Sequence, residues 1–314
     1  MRPRGDPVAR SVRASIMPTK PRKRPTSASA SALLPADYRR LCFTEFVAAR
    51  QHVLVARRAG RPRSSWTDDP ILKTGRFCNI DRRDDFVTSE LLAMMRSRPA
   101  WGLRERVLLC AALRFTGSRR SEAASLAALI DEGCGLKERT VTPLRAALAG
   151  GEVRCGSGTY QLSLNRCQVA SRIEQMAEAV VARVDSAGPF ADVLEASDCV
   201  AELMTVGKRP QFSANETAKD FAYVDGLMQP ASHHRCRLGP GARKGLSLVR
   251  AFPKAEIAAM DDEEAVSWLR TALRRQPSLA WVEAIDVEQA LCEFSKYHSY
   301  CTNGISPAKL WRPS

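Results

Sequence analysis

Ala284-Ile285-Asp286-Val287-Glu288-Gln289-Ala290-Leu291-Cys292-Glu293-Phe294-Ser295-Lys296-Tyr297 repeats its residue types at helical spacing. On a helix, Asp286, Gln289, Glu293 and Lys296 share one stripe, while Ile285, Glu288, Leu291 and Cys292 mark a neighbouring, more buried one. The same texture recurs toward the N-terminus. Helices are predicted at about 262–275 and 190–206, from Asn165 to about Asp185, and from Ser121 to Ile130. Earlier ones fall at about 101–115 and 88–97 and in a segment capped by Asp37 that stops at Gly60. Thr142-Pro143 reads as a cap with proline at the first helical position, and Ser213-Ala-Asn-Glu216 as a capping box. Leu238 to Leu246 reads as a glycine turn. The one β-like interval is a short hairpin near 152–164. The expected fold is all-α.

Composition agrees. The 314 residues are 45% hydrophobic but only 6% aromatic, a mix that favours aliphatic helix packing over a β-sandwich. No apolar run approaches the ~20 residues that span a bilayer, so a soluble protein without a membrane partner is expected. The ten cysteines include no CxxC pair and the four histidines no HExxH, so neither metal nor cofactor is expected. Their scatter fits reduced, mostly buried thiols inside the cell.

The net charge of +14 is concentrated at one end. Residues 1–65 hold 15 Lys/Arg against 3 Asp/Glu, leaving 33 against 31 for the remainder. The body is nearly neutral; the basic arm attracts polyanions. Residues 1–36 read as a disordered basic tail, and 37–314 as a helical body, with about 37–187 and 188–314 as its two lobes if it divides. Lys20-Pro21-Arg22-Lys23-Arg24-Pro25 resembles a nuclear address, and the Arg/Ser-rich composition alternatively an organellar one.

Three stretches carry chemistry-bearing residues. Trp66, Thr67, Asp69, Arg76, Phe77, Asn79, Arg82 and Asp85 crowd an irregular segment between helices. There Arg76 and Arg82 can bind phosphate, Asn79 can read a base edge, and Asp85 or Asp69 can accept a proton. The bland alternative is a loop whose arginines and aspartates pair together, with Asp85 or Thr88 capping the next helix. Gly239, Gly241, Arg243, Lys244 and Gly245 suit a tight turn cradling a phosphate, or else a plain interhelix turn. No GK[ST] loop occurs, so no P-loop ATP site is present. In the third stretch, Glu293 would suit acid–base work if half-buried, whereas a surface ion pair with Lys296 is the plain reading.

In this order the motifs resemble one family. They are Trp66-Thr67-x-Asp69-Pro70-Ile71-Leu72, Phe77-x-Asn79-x-x-Arg82-x-x-Asp85-x-x-Thr88, Gly239-Pro240-Gly241-Ala242-x-x-Gly245-Leu246 and Asp286-x-Glu288-x-x-Leu291-Cys292-Glu293-Phe294-x-Lys296-Tyr297. The family is the helical domain of phage 5-hydroxymethyluracil DNA kinases. It overlaps the α-glutamyl/putrescinyl thymine pyrophosphorylases and is distantly like helix–hairpin–helix DNA glycosylases. The resemblance implies a DNA substrate with thymine-derived bases, in which a pyrophosphorylated hydroxymethyl group is displaced by an amine. A separate kinase would supply the activated ester. Arg76, Asn79, Arg82 and Asp85 would then line the base and pyrophosphate site, and Gly239, Gly241 and Gly245 would hold the DNA backbone. Asp286, Glu288, Glu293 and Lys296 would complete the catalytic pocket. The sequence departs from the pattern at Asp81, where an aromatic is expected, and at Arg83, where an acid is expected. Two further readings stand beside this one: a glycosylase-like enzyme using Asp261 or Asp262, and a non-catalytic module that recognises modified DNA.

Overall fold

The computed structural model describes residues 38–116, 120–135, 142–150, 166–205, 210–230, 235–251 and 256–311. The predicted tail and the predicted hairpin near 152–164 lie outside these residues. Among the described residues the fold is all-α, with no strand and two isolated bridges, Gly75 with Leu310 and Phe190 with Met228. None of these helices is long and apolar enough to cross a membrane.

The helices in chain order are α1 (Phe43–Arg58), α2 (Pro70–Thr74), α3 (Phe86–Arg96), α4 (Leu103–Thr116), α5 (Arg120–Gly135) and α6 (Thr142–Gly150). They continue with α7 (Arg166–Ala187), α8 (Val193–Leu203), α9 (Gln211–Phe221), α10 (Pro240–Arg250), α11 (Asp262–Arg274) and α12 (Ala284–Asn303). Local chemistry sets many of their ends. Asp69 caps α2 by accepting from the Ile71 and Leu72 amides, both at 2.9 Å, with Pro70 at the first helical position. Asp261 and Glu264 form a capping box on α11, and Glu283 and Asp286 another on α12. Gly304, at φ +81°, stops α12 in a conformation that favours glycine.

Three local readings are corrected. Helix α1 begins six residues past Asp37, with Cys42 as its N-cap and Glu45 closing the box at 2.8 Å. Ser213 and Glu216 are no capping box; α9 already starts at Gln211, so both lie within the helix, and both are buried. The glycine segment is not a turn, since Pro240 opens α10 and Gly241 and Gly245 lie on its face toward α12. Ideal Cβ atoms there would stand 2.6 Å from Cys292 Sγ and 2.0 Å from the Leu291 carbonyl oxygen. These glycines let two helices approach closely.

Two apolar cores result. The first gathers α3–α9, from Leu91 to Met228, and takes in Ile285. The second joins Phe43–Ile80 to Leu238–Cys301, around Phe43, Phe46, Phe294 and Tyr297. Phe46 lies 5.5 Å from Phe294 and 5.3 Å from Tyr297, centroid to centroid. Helix α12 therefore starts at the seam: Ile285 points into the first core, and Val287, Ala290, Leu291 and Phe294 into the second.

Candidate functional site

The irregular segment from Arg76 to Asp85 lies lengthwise on α12. Three main-chain bonds fasten it: the Cys78 amide to Glu293 Oε2 at 2.9 Å, the Asn79 carbonyl to Gln289 Nε2 at 2.6 Å, and the Arg82 amide to Asp286 Oδ1 at 2.8 Å. The residues on α12 that make them are 286, 289 and 293, the stripe read from the sequence. Asp286 and Glu293 are each 4% exposed, so this face is interior and the surface-helix reading fails.

Arg82 points down from that segment into a charged cluster at the seam. Its Nη1 stands 2.8 Å from Glu216 Oε2 and 3.1 Å from Gln289 Oε1, and its Nη2 3.5 Å from Asp220 Oδ1. Arg114 of α4 grips Asp220 at 2.6 and 2.9 Å and donates to Thr88 Oγ1 at 2.8 Å. Lys219 bridges Glu216 at 2.8 Å and Glu288 at 2.6 Å. Glu288 also receives the Gly239 amide at 3.2 Å. Three cations face three carboxylates, all of them buried.

Burying such ions costs several kcal/mol each unless partners compensate, and here they do. Burial works to raise the Glu216 carboxyl, but Arg82, Lys219 and Arg114 outweigh it and hold it well below the usual carboxylate range. Burial likewise opposes the Lys219 charge, yet Glu216 and Glu288 hold it above its ordinary value. Asp286 differs. Burial dominates and pushes its carboxyl up to about 7, against the backbone N–H groups of Arg82 and Glu283 that favour the carboxylate. One buried donor of the cluster, Arg82 Nε, has no hydrogen-bond partner among the described residues.

Farther along α12 the site reaches solvent. Lys296 donates to both Glu293 oxygens at 2.7 Å, its side chain is 30% exposed, and it stands 5.9 Å from the Phe77 ring centroid. Burial disfavours its charge, but Glu293 holds the ammonium above the ordinary lysine range. Arg50, buried beneath the same ring at 5.3 Å, donates to the Cys78 carbonyl at 3.1 Å. Arg76 is exposed beside this end.

The structure thus brings together Arg82, Asn79, Asp286, Glu288, Glu293, Lys296, Phe77 and Gly239. Asp85 sits at the edge, 3.9 Å from Arg114, and caps α3 through the Val87 amide at 3.3 Å. Asn79 donates to the Asp84 carbonyl at 2.7 Å, so its amide is spent on the loop. The departures at Asp81 and Arg83 answer each other in a two-pronged pair at 2.8 and 2.9 Å.

Other expected site residues lie elsewhere. Trp66 is buried with Val53 and Ala56 against Trp311, and its indole donates to the Arg61 carbonyl at 2.8 Å. Thr67 accepts the Asp69 amide at 3.1 Å. Asp69 accepts the Tyr38 and Tyr297 hydroxyls, each at 2.8 Å, which anchors the chain entering α1. Gly241 and Gly245 are consumed by helix packing, and Arg243 and Lys244 project from the exposed side of α10. Arg114, Glu216, Lys219 and Asp220 were missed as site residues by the sequence reading. The available signal was a lone arginine within the apolar run Val107–Thr116.

The family model described as 5-hmdU DNA kinase, helical domain, matches residues 39–114 and 160–306. Neither the curated proteins nor the solved structures include a match to the chain. The matched residues contain every member of the buried cluster, the Glu293–Lys296 pair and the segment laid along α12. The chain belongs to the 5-hmdU DNA kinase helical domain family, which points to modified thymine in DNA as what it acts on.

Proposed function

We propose that the chain acts on 5-hydroxymethyluracil-type bases in DNA as a transferase or pyrophosphorylase that displaces a pyrophosphorylated hydroxymethyl group. The observation that carries this reading is the Glu293–Lys296 pair, a buried carboxylate whose lysine reaches solvent, held beside Phe77 where the Arg76–Asp85 segment crosses α12. The target base would have to leave the stack, because a side chain cannot reach its methylene carbon inside the duplex. The carbon–oxygen bond to the leaving group then breaks, its electron pair departing on pyrophosphate. An amine supplied as co-substrate forms the new carbon–nitrogen bond and gives up a proton. Lys296 and Arg76 offset the charge gathering on pyrophosphate, and Glu293 takes the proton. In this reading a kinase activity supplies the activated ester.

One observation favours a second reading, a non-catalytic module that recognises modified DNA: the deep cluster is filled by its own side chains. The glycosylase-like reading has less support. Asp261 is spent capping α11, and Asp262 pairs with Arg250 at 3.1 Å.

Nucleoside mass spectrometry separates the readings. The full chain is incubated with duplexes carrying 5-hydroxymethyluracil or its pyrophosphate ester, with and without a diamine. The expected result is an amine-substituted base formed only from the ester, slowed about 100-fold or more by Glu293→Gln. Released base would instead indicate excision, and bound but unaltered DNA the module.

A further inference from the structure

A second basic surface adjoins this site and uses none of its residues except Arg76. Arg57 lies over both Trp66 and Trp311, at 5.6 Å from each centroid, and Arg63 over Trp311 at 5.0 Å. The two indoles meet edge to face at 5.0 Å. The Trp66 indole fixes the Arg61 backbone, and Arg63 Nε donates to the Lys73 carbonyl at 2.9 Å. The C-terminal segment closes over this layer: the Arg76 amide donates to the Lys309 carbonyl at 2.8 Å and the Trp311 amide to the Thr74 carbonyl at 2.9 Å. Arg57, Arg61, Arg63, Arg76 and Lys309 thereby come onto one face, and all but the half-buried Arg63 are exposed.

This face gathers five cations without counter-charge. Among the described residues none of these five cations has a carboxylate partner, whereas Arg39, Arg58, Arg98, Arg235, Arg250 and Arg274 all have one. Asp68 is the single exposed carboxylate between Arg57 and Arg76. The tryptophan faces are already occupied by guanidinium groups, so they stiffen the arginines and offer no platform for stacking bases. Rigid, unpaired guanidinium groups suit phosphate oxygens.

We infer that this face binds the DNA phosphate backbone, in place of the glycine segment of α10. The inference rests on the proposed action on DNA and adds where the flanking backbone runs: along the Trp66–Trp311 layer, with Arg76 joining it to the Glu293–Lys296 end. Contacts of this kind position the duplex without reading its sequence.

The test is a salt titration of binding to a labelled duplex by fluorescence anisotropy, using the full chain so that the N-terminal arm is common to every sample. Arg61→Gln/Lys309→Gln removes two exposed charges whose side chains make no described bond, so the fold should be kept. The slope of log affinity against log salt is expected to flatten by about 1.8, at roughly 0.9 for each phosphate no longer neutralised. Arg243→Gln/Lys244→Gln on α10 should leave the slope unchanged. A flattened slope for the α10 variant alone, or for neither, overturns the inference. Base modification is followed in the same samples. Product formed with an unaltered slope would sink this surface and leave the proposed activity standing; a flattened slope with no product would do the reverse.

Discussion

Asp220→Ala is expected to cost about 3–5 kcal/mol of folding stability, the range seen when one partner of a buried ion pair is removed. Asp220 is fully buried and takes two bonds from Arg114 and one from Thr88, with Arg82 at 3.5 Å. Without it, Arg114 keeps only Thr88 and distant carboxylates, Asp85 at 3.9 Å and Glu216 at 4.0 Å. Domains of this kind hold about 5–15 kcal/mol in total, so the variant should unfold at much lower urea. Asp220→Asn keeps the shape and one acceptor and should cost less. The double variant Asp220→Ala/Arg114→Met should lose less than the two single losses added, because the stranded charge goes with its partner. Strict additivity would mean that the cluster does not act as a unit.

Gly245→Ala is the second large effect. A Cβ at this position would lie 2.0 Å from the Leu291 carbonyl oxygen and 2.7 Å from its carbon, both backbone atoms of a core helix that cannot swing aside. In an exposed helix the same change would stabilise by about 1 kcal/mol. Here α10 must move off α12, and a loss of about 1–3 kcal/mol or more is expected from overpacking. The shift would also lengthen the Gly239–Glu288 bond and so loosen Lys219. Lys244→Ala, one residue away on the exposed side, should stay within about 0.5 kcal/mol of the parent. Urea unfolding of the two variants side by side checks the contrast; a neutral Gly245→Ala would show that the helices are not tightly apposed.

Much of the fold was legible because periodicity is local. The stripe 286–289–293 and the cap at Asp85 depend only on neighbours in sequence, and the chain uses them at the expected spacing. What escaped depends on distant partners. Ser213-Ala-Asn-Glu216 matches a capping box by spacing, yet α9 begins at Gln211, and Glu216 is drawn inward by Arg82 and Arg114 from elsewhere in the chain. Gly239-Pro240-Gly241 reads as a turn because glycine and proline punctuate chains. Its second meaning, small residues four apart where helices touch, appears only once α12 lies alongside. Trp66 reads as one of the site residues of the irregular segment, but its partner Trp311 stands at the far end of the sequence. Asp81 and Arg83, read as departures from the family pattern, are neighbours that satisfy each other.

The buried cluster also explains how an irregular segment can hold a site. Backbone bonds from 78, 79 and 82 to α12 fix the loop, and the Arg82 side chain pins it to α9. The Glu293–Lys296 end, where the lysine reaches solvent, therefore rests on a rigid base, which is what positioning a reacting group requires.

A site that acts on modified thymine has to distinguish such a base from thymine itself. Equilibrium competition between two duplexes, identical except for one 5-hydroxymethyluracil in place of thymine, tests it most directly. A preference of at least about tenfold for the modified duplex, or about 1.4 kcal/mol, is predicted, and Lys296→Gln should reduce it. Equal affinity for the two duplexes would contradict it.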